Sequence, residues 1–151
     1  MIKVGAITPT PSQTNNFVPF YDKIKSMANN SIKTDYGYDL LWASTANYQG
    51  KILVFEKAGN KTPLHYHKEK EKHYFVNTGK FKLRYIDTST GQIYDQEMSE
   101  GSVFHAPPLI PCSLEALVDN SSVSEVNNNA GSDTHIVIPA KPINPENKSA
   151  E

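Results

Sequence analysis

The chain has 151 residues, 15 basic against 16 acidic, and a formal net charge of -1. That length suits one domain around one core, and 38% hydrophobic with 21% charged residues is the balance of an ordinary globular protein. Arg84 is the only arginine, so the clustered guanidinium groups of a nucleic-acid binder are missing. No apolar run nears the ~20 residues that span a bilayer, and neither a nucleic-acid nor a membrane partner is expected. The first residues lack the charged start, apolar stretch and cleavage site of a signal peptide, which makes the cytoplasm the expected compartment. A single cysteine, Cys112, excludes an internal disulfide framework.

In chain order, residues 8–16 are turn and coil formers. Phe17, Phe20, Ile24 and Met27 then recur at helical spacing, with Pro19 near the start and Asn29-Asn30 at the end, predicting one short amphipathic helix. From Tyr38 the pattern changes to short β-like runs between turn signals: 38–43, 51–57, 63–67, 73–77, 81–87, 92–98, 102–106, 112–118, 122–126 and 134–138. Such spacing belongs to an all-β sandwich or barrel. Phe81, Leu83 and Tyr85 alternate on one face, which sends Arg84 outward, and Asp87 to Gly91 reads as a hairpin turn. The proline-bearing end of the chain reads as a flexible tail. No repeat of fixed period is present.

His65-x-His67 is where the chain looks chemical. Imidazoles at i and i+2 of an extended segment share a face, and each can offer a nitrogen to a metal at about 2.0–2.1 Å. The bland alternative is a pair of polar remnants in a barrel mouth. Gly59-(x5)-His65-x-His67-(x3)-Glu71, ending at Gly79, resembles the first motif of the cupin superfamily; Gly101-(x5)-Pro107-Pro108-Leu109-Ile110-Pro111-Cys112 resembles the second. The 22 positions from Gly79 to Gly101 are a normal spacing between them, and the likeness, flanks included, runs over residues 36–138. It is nearest to small single-domain cupins of the sugar and sugar-phosphate isomerase type.

The resemblance implies an all-β, double-stranded β-helix: a jelly-roll barrel over 36–138, preceded by a lead-in and helix over 1–35 and followed by a tail over 139–151. It implies a divalent metal (Zn, Mn, Fe or Ni) held by His65 and His67 with Glu71 or Cys112. Two departures matter. The family's first-motif glutamate register falls on Lys72, with Glu71 beside it, so a regular strand would point Lys72 inward and Glu71 outward, and only a bulge would reverse them. The second-motif histidine is replaced by Cys112. Cys112 reads either as a thiolate ligand or as a small buried hydrophobe. Lys72 is either an ammonium in the cavity that repels a cation and receives an anion, or a solvated member of the charge run at 68–72.

The function implied is isomerase- or epimerase-like, on a sugar or sugar phosphate, with the metal polarising the substrate and Glu125 or Lys72 moving the proton. The alternative is a non-catalytic cupin with a degraded metal site that binds a small ligand or serves a structural role. Structural readings remain open for Glu125 and for His105, which suits packing or an outer hydrogen bond. His73 is expected at the rim, His135 is given no role, and Trp42, Phe55, Phe75, Tyr85 and Tyr94 are expected in the core or cavity wall. The partners implied are a small molecule, with a sugar the leading class, and a second copy in a homodimer.

Overall fold

The computed structural model describes residues 31–128 and 135–139. Those residues form eleven strands: β1 (Ser31–Thr34), β2 (Gly37–Ser44), β3 (Gln49–Phe55), β4 (His65–Tyr66), β5 (Lys72–Thr78), β6 (Lys80–Asp87), β7 (Gln92–Ser99), β8 (Val103–Ala106), β9 (Cys112–Ala116), β10 (Ser121–Asn127) and β11 (Ile136–Val137). Each stretch with the predicted alternation holds one of β2 to β11; β1, ahead of them, was not expected. The predicted helix and the tail past 139 lie outside the described residues.

Two sheets result, in the orders β1-β2-β3-β10-β5-β8 and β11-β4-β9-β6-β7. Every recorded pairing is antiparallel. Each strand turns alternate side chains inward. β5 buries Lys72, Tyr74 and Val76 between exposed His73 and Phe75; β9 buries Cys112, Leu114 and Ala116; β10 buries Ser121, Val123, Glu125 and Asn127. The core lies between the two inner faces. Phe55 of one sheet stacks on Tyr36 at 4.5 Å between ring centroids and meets Phe81 of the other edge-on at 5.0 Å, a favoured aromatic geometry.

Three aromatics expected inside are exposed: Trp42, Phe75 and Tyr94. Phe75 falls on an outward position of β5, whereas Tyr94 shares the face of buried Met98 but lies toward the exposed end of β7, stacked on Tyr85 at 5.3 Å. Trp42, three positions after buried Asp39, also has the outward parity, and it is the extra residue of a β-bulge, since Leu41 opposes Lys51 while Ala43 opposes Gly50. Its indole lies over Gly50, where an added Cβ would come within 2.4 Å of the ring. The Asp87–Gly91 turn is as predicted: the Gly91 N–H donates to the Asp87 carbonyl at 2.7 Å, and the Ser89 N–H to the Asp87 carboxylate at 2.8 Å.

Gly79 joins β5 to β6 with φ of 80°, and a Cβ there would stand 2.1 Å from Ser121 Oγ. Gly101 has nearly the same φ, 82°, with open space around it. A left-handed backbone costs a non-glycine residue roughly 1–3 kcal/mol, and only Gly79 adds a clash to that. Gly79→Ala is therefore expected to destabilise the chain more than Gly101→Ala, as read from urea denaturation midpoints; equal losses would show that Ser121 gives way.

Candidate functional site

A cavity of about 260 Å³ opens between the sheets, lined by Tyr36, Lys51, His65, His67, Lys72, Glu125 and His135 among others. Two contacts with distant parts of the chain position the histidines. β4 is a two-residue strand held between β9 and β11, with His65 opposite both Cys112 and Val137. The chain just after β4 is pinned by the Leu109 N–H, which donates to the His67 carbonyl at 2.7 Å. Leu109 takes a left-handed φ of 68° to do so, a conformation unusual for a branched side chain.

His65 makes two hydrogen bonds through its ring. Nδ1 lies 2.8 Å from the Pro63 carbonyl and Nε2 lies 2.8 Å from Lys72 Nζ. A carbonyl only accepts, so Nδ1 carries the proton and Nε2 presents its lone pair to the lysine amine. Lys72 is only 5% exposed, and its amine also stands over the Tyr74 ring, 5.5 Å from the centroid. Burial pushes the amine below the ordinary lysine range, and the Glu125 carboxylate opposes that shift. Burial first, and then the charge of Lys72, hold the His65 ring neutral down to about pH 3.

Glu125 is buried and accepts a hydrogen bond from Asn127 Nδ2 at 3.0 Å, with Lys51 Nζ 3.8 Å away. Lys51 also reaches Asp39 at 3.4 Å, and the Tyr36 hydroxyl donates to that same carboxylate at 2.6 Å. The phenols of Tyr36 and Tyr74 are both held well above the ordinary range, by burial first and then by Asp39 and Glu125 respectively.

Of the residues the sequence singles out, His65, His67, Lys72 and Glu125 meet at this cavity. Glu71 does not join them. The bulge that would have turned it inward is absent: β5 pairs with β8 in unbroken register from Lys72 to Phe75. Glu71 instead lies on the outer face, where His105 Nε2 donates to its carboxylate at 2.6 Å. There Glu71, His73 and His105 form a cluster of potential metal donors within 4.8 Å of one another. Cys112 faces inward but is not among the cavity-lining residues. Burial raises its thiol pKa, and the charge of Lys72 opposes that shift.

Sequence reasoning missed Lys51 and His135. Lys51 alternates with Leu53 and Phe55 along β3, a pattern that sends it inward. His135 stacks on His67 at 5.4 Å and meets His65 edge-on at 4.3 Å. Only the pairing of β11 with β4 reveals it, since Ile136 stands opposite Tyr66.

No protein-family model and no curated protein matches the chain. Solved structures do. KdgF from Halomonas sp. is 21% identical, with a TM-score of 0.53 over 60% of this chain and 76% of that one. CapF, a capsular polysaccharide assembling protein from Staphylococcus aureus, is 20% identical, with a TM-score of 0.60 over 72% of this chain and 32% of its own. An oxalate decarboxylase variant from Bacillus subtilis is 16% identical, with a TM-score of 0.63 over 72% of this chain. This chain spans 30% of that decarboxylase. The chain has the cupin fold. At these identities the fold is what is shared.

A cupin metal centre of the ordinary kind does not fit this cavity. The nitrogen that His65 would give a cation already faces an amine, the glutamate register holds that amine, and the second-motif position holds a buried thiol.

The neutral His65 ring carries a pH dependence. An unfolded histidine takes up a proton near pH ~6.5, whereas folded His65 resists until about pH 3. Between those values the unfolded chain binds more protons, so stability is lost as pH falls, at ~1.4 kcal/mol per pH unit for this one group. Urea denaturation at pH 6, 5 and 4 is expected to show a steeper loss for the parent than for His65→Gln. Parallel slopes would mean that the ring is protonated in the folded state.

Proposed function

We propose that this cupin uses its barrel cavity to bind a small anionic molecule of sugar size, with the Lys72 ammonium as the receiving charge where a metal would otherwise stand. The observation that carries this is the 2.8 Å contact between Lys72 Nζ and His65 Nε2. It turns a metal-ligand nitrogen into the acceptor that orients an amine. Lys51 and Lys70 line the same cavity, where Glu125 is the single lining carboxylate among the described residues. A carboxylate or phosphate entering there gains charge-assisted hydrogen bonds in a site shielded from water. It also stabilises the charged form of Lys72 that burial disfavours. Binding therefore favours the protonated amine, and affinity weakens as pH rises through the amine's pKa in the free protein. Tyr36 and the three histidines supply flat walls and polar edges suited to a polyhydroxylated ligand.

Glu125 favours a second reading, the isomerase- or epimerase-like one. A buried carboxylate facing the same cavity as an amine provides a base and a polarising cation for moving a proton next to a carbonyl. On this reading Lys72 does what a metal does in the resemblance drawn from the sequence.

Thermal denaturation against a panel of glucose, glucose 6-phosphate and glucuronate tests the main reading. The charged sugars are expected to raise Tm and glucose is not, and Lys72→Met is expected to abolish the shift. Equal shifts with glucose, or an undiminished shift in Lys72→Met, would defeat the proposal. A reciprocal prediction concerns the metal: Lys72→Glu places a carboxylate beside His65 and His67, and is expected to bind one more equivalent of divalent cation than the parent. Elemental analysis after desalting reads this directly, and an unchanged content would mean that the amine is not what excludes the ion.

A further inference from the structure

Outside the cavity, β5 and β8 carry an arrangement that the cavity reading does not use. His73 and His105 stand directly opposite each other in the ladder, so their Cβ atoms lie within about 4.5–5.5 Å and both side chains leave the same face. Their rings are parallel to within 9°, with centroids 4.4 Å apart. Glu71 precedes His73 by two positions and shares its face. A ring nitrogen from each histidine and a carboxylate oxygen of Glu71 all fall within 4.8 Å of one another.

We propose that Glu71, His73 and His105 form a divalent-cation site on the outer face of the barrel, distinct from the cavity and independent of what the cavity binds. A four-coordinate zinc ion bonded at about 2.0–2.2 Å needs its donors ~3.4 Å apart. The three side chains are exposed, so small rotations about their χ angles close the remaining gap. The backbone ladder already fixes where the two imidazoles start, and little ordering is left to be done on binding. Two imidazoles and one carboxylate suit late first-row ions, zinc and nickel among them. The Glu71 carboxylate, now accepting the His105 Nε2 proton at 2.6 Å, exchanges that contact for the cation, and His105 binds through its deprotonated nitrogen. A fourth position faces solvent and is open to water or to a donor from another molecule.

The test is calorimetric titration of the tag-free full-length chain with zinc chloride, after removal of metal with a chelator. The parent is expected to take up zinc, and binding is expected to weaken ~10-fold or more in His73→Ala and in His105→Ala, since even an outer partner of a metal ligand is worth 10–100-fold. Glu71→Gln is expected to weaken it as well. Melting temperatures in chelator check that each variant is folded, and the C2–H resonances of His73 and His105 are expected to shift with zinc in the parent. A parent that binds no zinc overturns the inference, as does a His73→Ala/His105→Ala double variant that binds like the parent. Zinc that is lost only when His65 or His67 is replaced overturns it too, and places the ion in the cavity against the Lys72 reading. Failure of the sugar-anion test with this zinc site intact would leave the outer site standing alone.

Discussion

On β5 the backbone sends Lys72, Tyr74 and Val76 to one side and His73 and Phe75 to the other, and most of the chemistry of this barrel follows from that alternation. Because Lys72 is inward, its amine has a single good way to be solvated: the His65 lone pair on one side, the Tyr74 ring beneath it and the field of Glu125 nearby. Because Glu71 is one residue earlier, it is carried to the opposite surface. A shift of a single residue along this strand would exchange the two, and would turn a cationic pocket into a carboxylate-bearing one. The neighbouring strands hold the register on both sides, through β8 and β10.

The cost of a buried amine is met by several partial contributions. An ammonium removed from water is costly unless it is paired and hydrogen-bonded. Here the nearest partner is a neutral imidazole rather than a carboxylate, and Glu125 already has Asn127 and Lys51 as partners. That leaves Lys72 with a depressed pKa. A group in that condition, lining a concave site, is the kind of residue that ligand binding controls.

Much of this was legible in the sequence because it depends on periods of two residues and on turn chemistry. The runs that became β2 to β11, the Asp87–Gly91 turn and the double-motif frame all rest on local rules that tertiary packing did not override. The inward direction of Lys72 was one of two readings, and regular pleating decides between them. The parts that were not legible are long-range or irregular. His135 reaches the cavity only because β11 closes the sheet beside β4, a pairing between residues far apart in sequence. Trp42 is the extra residue of a bulge between Leu41 and Ala43, and no local signal marks which residue of a strand will be extra. The grouping of His73 with His105 depends on which strand became the neighbour of β5, and alternation alone says nothing about that.

Cys112 has a consequence for how the protein meets its chemical environment. It is the chain's only sulfhydryl; it is 2% exposed and is kept protonated by its surroundings. Peroxides and electrophiles act on accessible thiolates, and this sulfur is neither. A cupin that held its cation through a cysteine would be disabled by oxidative stress, whereas this interior, built from an amine, imidazoles and a carboxylate, would keep its form while the redox state around it changes.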